Sequence, residues 1–494
     1  MQAIGFDNDK YLRMQSEKIR ERIGQFGGKL YLEFGGKLFD DYHASRVLPG
    51  FAPDSKVRML MEMRDEAEII IAISADDIER NKRRGDLGIT YDDDTLRLID
   101  AFQGCGLYVG SVVITHHRGQ PAAEKFQRRL ETLGIRVYRH YIIPDYPSDV
   151  ARIVSDDGFG RNDYIETTRS LIVVTAPGPG SGKMATCLSQ LYHEHKRGVC
   201  AGYAKFETFP IWNLPLRHPV NLAYEAATVD LDDVNMIDPF HLEAYGVTTV
   251  NYNRDVEAFP VVRALMEKIL GKSPYQSPTD MGVNMVGFAI TDDDACRDAS
   301  KMEIVRRYFT AVENVRRTGM GDEQVDRLKI IMKKAGIDKN YSPARSAALT
   351  REQLTGGPVG AMVMPDGSVV TGKTSTRLGA ASSLIMNALK HVSGVDLELE
   401  VISDEAIEPI SKLKTHFLGS KNPRLHTDET LMALSITSAT SETAARVLSG
   451  LEQLRGCDAF FSVIISPTDE TVLRKLGINV CCEPKFERRG FFHR

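Results

Sequence analysis

A chain of 494 residues is too long for one ordinary core and predicts two or three domains of roughly 100–200 residues each. Its 62 basic and 67 acidic side chains leave a net charge of −5. That balance excludes a protein held to nucleic acid by a general basic field and a polybasic binder of membrane surfaces. The seven cysteines are scattered, odd in number and without a CxxC, so they read as reduced thiols, with no disulfide frame, zinc site or haem attachment.

Met1 to Lys10 lacks the basic-then-apolar layout of a signal peptide, and no apolar run approaches the roughly 18 residues of a membrane span. A soluble, cytoplasmic protein is expected. Phe26-Gly27-Gly28-Lys29-Leu30 then recurs as Phe34-Gly35-Gly36-Lys37-Leu38; the eight-residue spacing is too short for a solenoid unit and reads as a local hairpin. Strand-like runs follow at Glu68–Ser74, Tyr108–Thr115, Val137–Ile143 and Leu171–Thr175, with helical spacing over Asp94–Phe102 and Ala122–Leu133 between the first three. This βαβ series predicts an α/β fold with a doubly wound, mostly parallel sheet, whose ligands sit outside the carboxyl ends of the strands. The rule gathers Asp76, Asp77, His116, His117 and the 177–183 loop on one sheet edge.

That loop, Ala176-Pro177-Gly178-Pro179-Gly180-Ser181-Gly182-Lys183, joins an apolar strand to a predicted helix over Met184–His195. Glycines let backbone N–H groups converge, a helix N-terminus adds partial positive charge, and Lys183 adds a full one. The arrangement is P-loop-like and suits a phosphate. It departs from GxxxxGK[ST] at Pro177 and at Met184, where a magnesium-binding hydroxyl is wanted, and it is one residue short of the dinucleotide pattern GxGxxG. The phosphate-binding set is Gly178, Gly180, Ser181, Gly182 and Lys183, with Thr186 offering a displaced hydroxyl; a purely structural tight turn is the competing reading.

Other polar groups have plain alternatives beside them. Asp76 and Asp77 are metal ligands or proton carriers, or else the cap of the helix starting at Ile78. His116 is a base at a strand end or a satisfied histidine. Asp156 to Gly160 is an active-site turn or a surface turn, and Asp92 to Asp94 is a solvated helix start. His193-Glu194-His195 places its histidines two apart, on different helix faces, which excludes the zinc-protease arrangement. Asp230, Asp232, Asp233 and Asp238 are candidate magnesium ligands, Asp230 foremost, but none follows a clean apolar strand.

Val199–Phe206 and Thr248–Tyr252 are further strands, and Phe259–Leu270 closes the first unit, residues 1–272. Ser273–Val283, rich in Ser, Pro, Gly and Asp, is the expected linker, leading to helices over Ala295–Ala311 and Asp322–Ala335 within 273–355; Met302, Val305, Tyr308 and Phe309 form a packing stripe there. Residues 356–494 return to α/β, with strands at Ala361–Met364, Ser368–Thr371, Leu397–Ile402, Ala459–Ile465 and Asn479–Cys482, as a second, smaller domain. It holds the one perfect GxxxxGK[ST], Gly367 to Thr374. The Asp366-Gly367 turn signal and the β-branched Ser-Val-Val-Thr favour a hairpin over a P-loop. Gly372, Lys373, Thr374 and Ser375 run on toward a predicted helix, Arg377–His391, as a second possible anion site.

Ser74 to Lys82, Gly85 to Asp92, Thr175 to Thr186, Asp233 to Phe240 and Asn251 to Asp255 together resemble a family of large cytosolic bacterial proteins known as a domain of unknown function. The resemblance spans nearly the whole chain and implies a multi-domain α/β protein, without supplying a substrate or catalytic residues. The first expectation is therefore an enzyme using a nucleotide or other phosphorylated small molecule, with or without Mg2+, on the 178–183 loop, with Asp76, Asp77, His116 and Asp230 for metal or proton work. The second is a non-catalytic, phosphate-binding regulatory protein, and the third a dinucleotide-dependent oxidoreductase, disfavoured by Lys183. Neither nucleic acid nor membrane is expected as a partner, and a homo-oligomer is left open.

Overall fold

The computed structural model describes residues 4–36, 38–39, 41–84 and 88–487. Met1 to Ala3, Lys37 of the second repeat copy and Gly85, Asp86 and Leu87 of the family-like stretch lie outside the described residues. The chain divides into two compact units, one of residues 5–224 and 232–296, the other mainly of residues 225–231 and 297 onward.

In chain order the strands are β1 (Leu30–Phe34), β2 (Ala67–Ser74), β3 (Tyr108–His117), β4 (Val137–Tyr141), β5 (Leu171–Thr175), β6 (Gly202–Phe206), β7 (Asn235–Ile237), β8 (Val250–Tyr252), β9 (Gly282–Val283), β10 (Val359–Val363), β11 (Val369–Lys373), β12 (Asp458–Phe461) and β13 (Asn479–Cys482). The first unit is built on a seven-stranded sheet in the order β4-β3-β2-β5-β1-β6-β9, with every pairing parallel. Helices cover both faces of such a sheet, which is why β2 and β5 read as continuous apolar runs and are buried at every position. β2 leads out to β3, whereas β5 leads the other way, over β1, to β6. Right-handed crossovers in opposite directions leave the sheet on opposite faces, so the topological switch point, where sheets of this kind bind their ligands, lies at the carboxyl ends of β2 and β5.

Two expectations for this unit are corrected. The Phe-Gly-Gly-Lys-Leu repeat is no hairpin: β1 begins at its first copy and lies between β5 and β6, pairing with both in parallel. A local repeat carries no information about such long-range pairing. Ser273–Val283 is no linker, since Tyr275 is 1% exposed, Ser277 caps the helix Pro278–Met281 through its hydroxyl, and β9 adds an edge to the sheet. Its turn-forming composition serves caps, not slack. The strand expected at Thr248–Tyr252 pairs with β7 in a separate two-stranded antiparallel sheet.

The second unit carries a four-stranded sheet in the order β11-β10-β12-β13, antiparallel except for β12 with β13. Its core includes Met362, Leu384, Ile385, Leu389, Phe461 and Leu473, and the helix Asp293–Thr318 buries Val305 and Phe309 from the predicted stripe. Leu397–Ile402 forms no strand; Leu397 and Leu399 face solvent and the backbone turns from Asp396 to Leu399. Among the described residues no helix is long and apolar enough to cross a membrane.

Candidate functional site

β5 ends at Thr175 at the switch point, and residues 176–182 connect it to the helix Lys183–Lys196. Gly180 and Gly182 adopt left-handed φ values of +76° and +82°, which a side chain resists. Gly182 is also the helix N-cap and provides no side-chain cap, so the first-turn amides have no side-chain acceptor there. Ser181 is fully buried; its hydroxyl donates to the Gly178 carbonyl at 2.9 Å, and its carbonyl accepts from Thr115 Oγ1 at 2.8 Å. Gly178 lies so close to the ring of Tyr91 that a Cβ there would stand 2.2 Å from the phenolic oxygen. Lys183 is half-buried at the first helical position, and no ion pair forms on it among the described residues. Thr186, one turn further, is fully buried and its hydroxyl makes no hydrogen bond.

The neighbouring strand ends bring their polar groups to the same edge. His116 holds a positive φ of +51°, unusual outside glycine, and its Nδ1 lies 3.2 Å from Ser74 Oγ. Asp76 accepts from Arg118 at 2.7 Å and Gln120 at 2.9 Å, while Asp77 pairs with Lys82 at 3.2 Å. Both carboxylates are therefore matched by cations and hold this corner together. His117 is buried and packs edge-on to Tyr141 at 5.9 Å; burial, then the nearby Arg139, keeps its imidazole below the ordinary range.

The remaining candidates have structural roles or lie elsewhere. Asp230 sits in the short turn Val229–Leu231, which belongs to the other compact unit. Asp233 is gripped by Arg254 at 2.8 Å, and Asp238 caps the helix Pro239–Tyr245 through the amides of Phe240 and His241, both at 3.0 Å. Asp156 binds Lys196 and Tyr192, and Glu194 is buried against Lys29 and Tyr31. Among the described residues no three His, Cys, Asp or Glu side chains come together as a metal-ion site.

The perfect motif forms the β10–β11 hairpin. Gly372 lies within its second strand, Lys373 ends it, and Ser375 Oγ accepts from the amides of Arg377 and Leu378 in a closed turn. The following helix starts only at Ala380, so Gly372, Lys373, Thr374 and Ser375 do not stand on its amide end as the sequence suggested. The segment 374–379 intervenes because Leu378 and Gly379 are tied to Leu425 and its neighbours.

A second polar group lies on the strands next to β5 and escaped the sequence reading. In register, Glu33 of β1 stands between Val174 of β5 and Lys205 of β6. Glu33 accepts from Tyr203 Oη at 2.7 Å; Lys205 binds Asp255 and Tyr252 Oη and lies 3.1 Å from Glu207. Burial works to lower the Lys205 ammonium, but the charge of Asp255 and its neighbours outweighs it and holds the group well above its ordinary range. The signal was present as single charges inside the apolar runs Leu30–Phe34 and Gly202–Phe206.

The family model described as domain of unknown function DUF1846, N-terminal, matches residues 4–336, and the corresponding C-terminal model matches residues 340–492. The chain belongs to this family. It is 58% identical over 493 residues to a UPF0371 protein of Corynebacterium diphtheriae, covering 100% of this chain and 99% of that one. It is 56% identical over 491 residues to a UPF0371 protein of Corynebacterium efficiens and 54% over 487 residues to one of Streptococcus thermophilus, covering 99% of each chain in both cases. The likeness read from Thr175–Thr186 and the other stretches thus extends over 99% of each of these relatives.

Proposed function

We propose that this DUF1846 protein binds a phosphorylated small molecule, a nucleotide among the candidates, on the backbone of Gly178, Gly180, Ser181 and Gly182 and the ammonium of Lys183. One observation carries the reading. The P-loop-like strand–loop–helix stands at the point where the sheet connections diverge, with its first helical turn lacking a side-chain cap and Lys183 lacking an ion pair among the described residues. First-turn amides without a side-chain cap and a lysine at the start of the same helix suit a doubly charged oxyanion. Thr186, buried with an unspent hydroxyl, is a further donor one turn away.

As an enzyme, the protein would hold the phosphate still and neutralise it, and His116, in its strained conformation beside Ser74, would handle a proton. A non-catalytic binding protein is the second reading. It is favoured by the matching of Asp76 and Asp77 to Arg118 and Lys82, which leaves neither carboxylate idle. A thermal-shift screen of nucleotides, sugar phosphates and dinucleotides, with and without Mg2+, tests the binding, because a ligand of the native state raises its stability by linkage. Turnover of the stabilising compound then decides between the two readings. No stabilisation by any phosphorylated compound contradicts both.

A further inference from the structure

The 178–183 loop occupies only one end of a polar tract that continues along the carboxyl ends of β1 and β6. Strand neighbours are about 4.8 Å apart, so Glu33 lies one strand and Lys205 two strands from β5, within about 10 Å of it. The buried Cys187 thiol registers both ends of the tract. Burial pushes it up, the charge of Glu33 adds to that rise, and Lys183 opposes it. Glu33, in register with Val174 near the end of β5, and Lys183, at the start of the helix that follows β5, stand on the same edge of the sheet.

The far end is built of one ammonium, Lys205, against the carboxyl groups of Glu33, Glu207 and Asp255, with the phenols of Tyr203 and Tyr252; burial outweighs the charge of Lys205 and raises the Glu207 carboxyl to about 8. It is not sealed. The Lys205 and Asp255 side chains keep 14% and 15% of their exposure. Glu207 is nine-tenths buried, and its Oε1 stands at ion-pair distance from Lys205 but accepts no hydrogen bond. A nearly buried oxygen that meets only the Lys205 charge and accepts no hydrogen bond is costly unless something donates to it.

We propose that Glu33, Lys205, Glu207 and Asp255 form the second half of the ligand site, taking the hydroxyl-bearing chain of a sugar monophosphate; this rests on the reading that the phosphate itself sits on Gly178–Lys183. Acceptor oxygens outnumber donors here, so the site calls for a group that donates. Hydroxyls donate to the carboxylates and accept from Lys205 and the phenols. A second phosphate at this end meets the carboxylates of Asp255 and Glu33 and a lysine already paired to Asp255, and is repelled. The preferred ligand thus carries one phosphate and several hydroxyls, in contrast to a nucleoside triphosphate.

The test is calorimetric titration of inorganic phosphate, glucose 6-phosphate, ribose 5-phosphate and ATP into the full chain and into Lys183→Ala, Glu207→Gln and Asp255→Asn, each checked for native fluorescence of Trp212. The wild type should bind at least one sugar phosphate about tenfold or more tightly than inorganic phosphate and more tightly than ATP. Glu207→Gln and Asp255→Asn should remove that advantage and leave the affinity for inorganic phosphate unchanged; Lys183→Ala should weaken all the ligands together. If one of these two variants fails to fold, the other and Glu33→Gln carry the comparison. Sugar phosphates binding no better than inorganic phosphate, an advantage that survives in the carboxamide variants, or a preference for ATP would overturn the subsite while leaving the phosphate loop standing. No binding of any probe, or binding indifferent to Lys183→Ala, would overturn the loop and the subsite with it.

Discussion

Thr115, near the end of β3, donates its hydroxyl to the carbonyl of Ser181 at 2.8 Å, although β2 lies between β3 and the strand that carries the loop. The bond reaches across a neighbouring strand to set the glycine loop against the sheet. The same side chain closes over Gly182, where a Cβ would come within 3.1 Å of Thr115 Cγ2. Thr115→Val keeps the shape and removes the donor to a buried carbonyl. It should cost about 1–2 kcal/mol of unit stability and weaken binding of the best phosphorylated ligand severalfold. Denaturant unfolding and titration of this variant check both parts; unchanged affinity would show that the loop is held without Thr115.

Gly182→Ala combines the positive φ of +82° with that crowding. A loss of about 1–2 kcal/mol is expected from the left-handed backbone alone. Unfolding followed at Trp212, the one tryptophan of the chain and part of the same unit, is the measurement. A variant as stable as the wild type would mean that the loop relaxes to a different backbone.

Gly372→Ala contrasts with it. A Cβ at Gly372 would stand 2.2 Å from the Leu384 backbone nitrogen, because the helix Ala380–Val392 lies directly on β11. Backbone cannot swing aside, so the second unit should lose about 1–3 kcal/mol or more. Binding at the 178–183 loop should not change. This expectation assigns the glycine of the perfect GxxxxGK[ST] to packing, and weakened ligand binding without loss of stability would reverse that assignment.

Acid should weaken the seven-stranded unit. Burial, opposed by the contact with the Asp163 carbonyl, lowers the His140 imidazole to about 3, and burial also lowers His193. The unfolded chain protonates His140 near pH 6.5 and the folded chain only near 3, so for this group the unfolded state binds more protons between those values, and His193 acts in the same direction. Stability is retained above that window and lost as pH falls through it, by up to about 1.4 kcal/mol per pH unit for His140. Denaturant midpoints of the Trp212 transition at pH 7.5 and 5.5 should differ in the wild type and differ less in His140→Gln. An equal difference in both would remove His140 from the account.

Long apolar strands and amphipathic helices were legible in the sequence because their periodicity is local. β2, β3 and β5, the helix after the glycine loop and the β10–β11 hairpin are found where the pattern placed them, within a few residues. The carboxyl-end rule also gathered Asp76, His116 and the loop on one edge. Sheet order was not legible. β1 follows a glycine repeat that resembles a hairpin, and only the finished sheet inserts it between β5 and β6. For the same reason Glu33 and Lys205 stood as isolated charges in two distant runs until register made them partners. Asp230 shows the converse, a carboxylate singled out by local composition that folds into the other unit.

The proposed function requires that Lys183 and its loop bind a phosphate. Calorimetric titration of the strongest stabiliser from the thermal screen into wild type, Lys183→Ala and Lys373→Ala tests it most directly. Lys183→Ala should bind about tenfold or more weakly, about 1.4 kcal/mol, as expected for a charge-assisted contact, while Lys373→Ala should bind nearly as the wild type does. Undiminished affinity in Lys183→Ala, with the fold intact, would contradict the account.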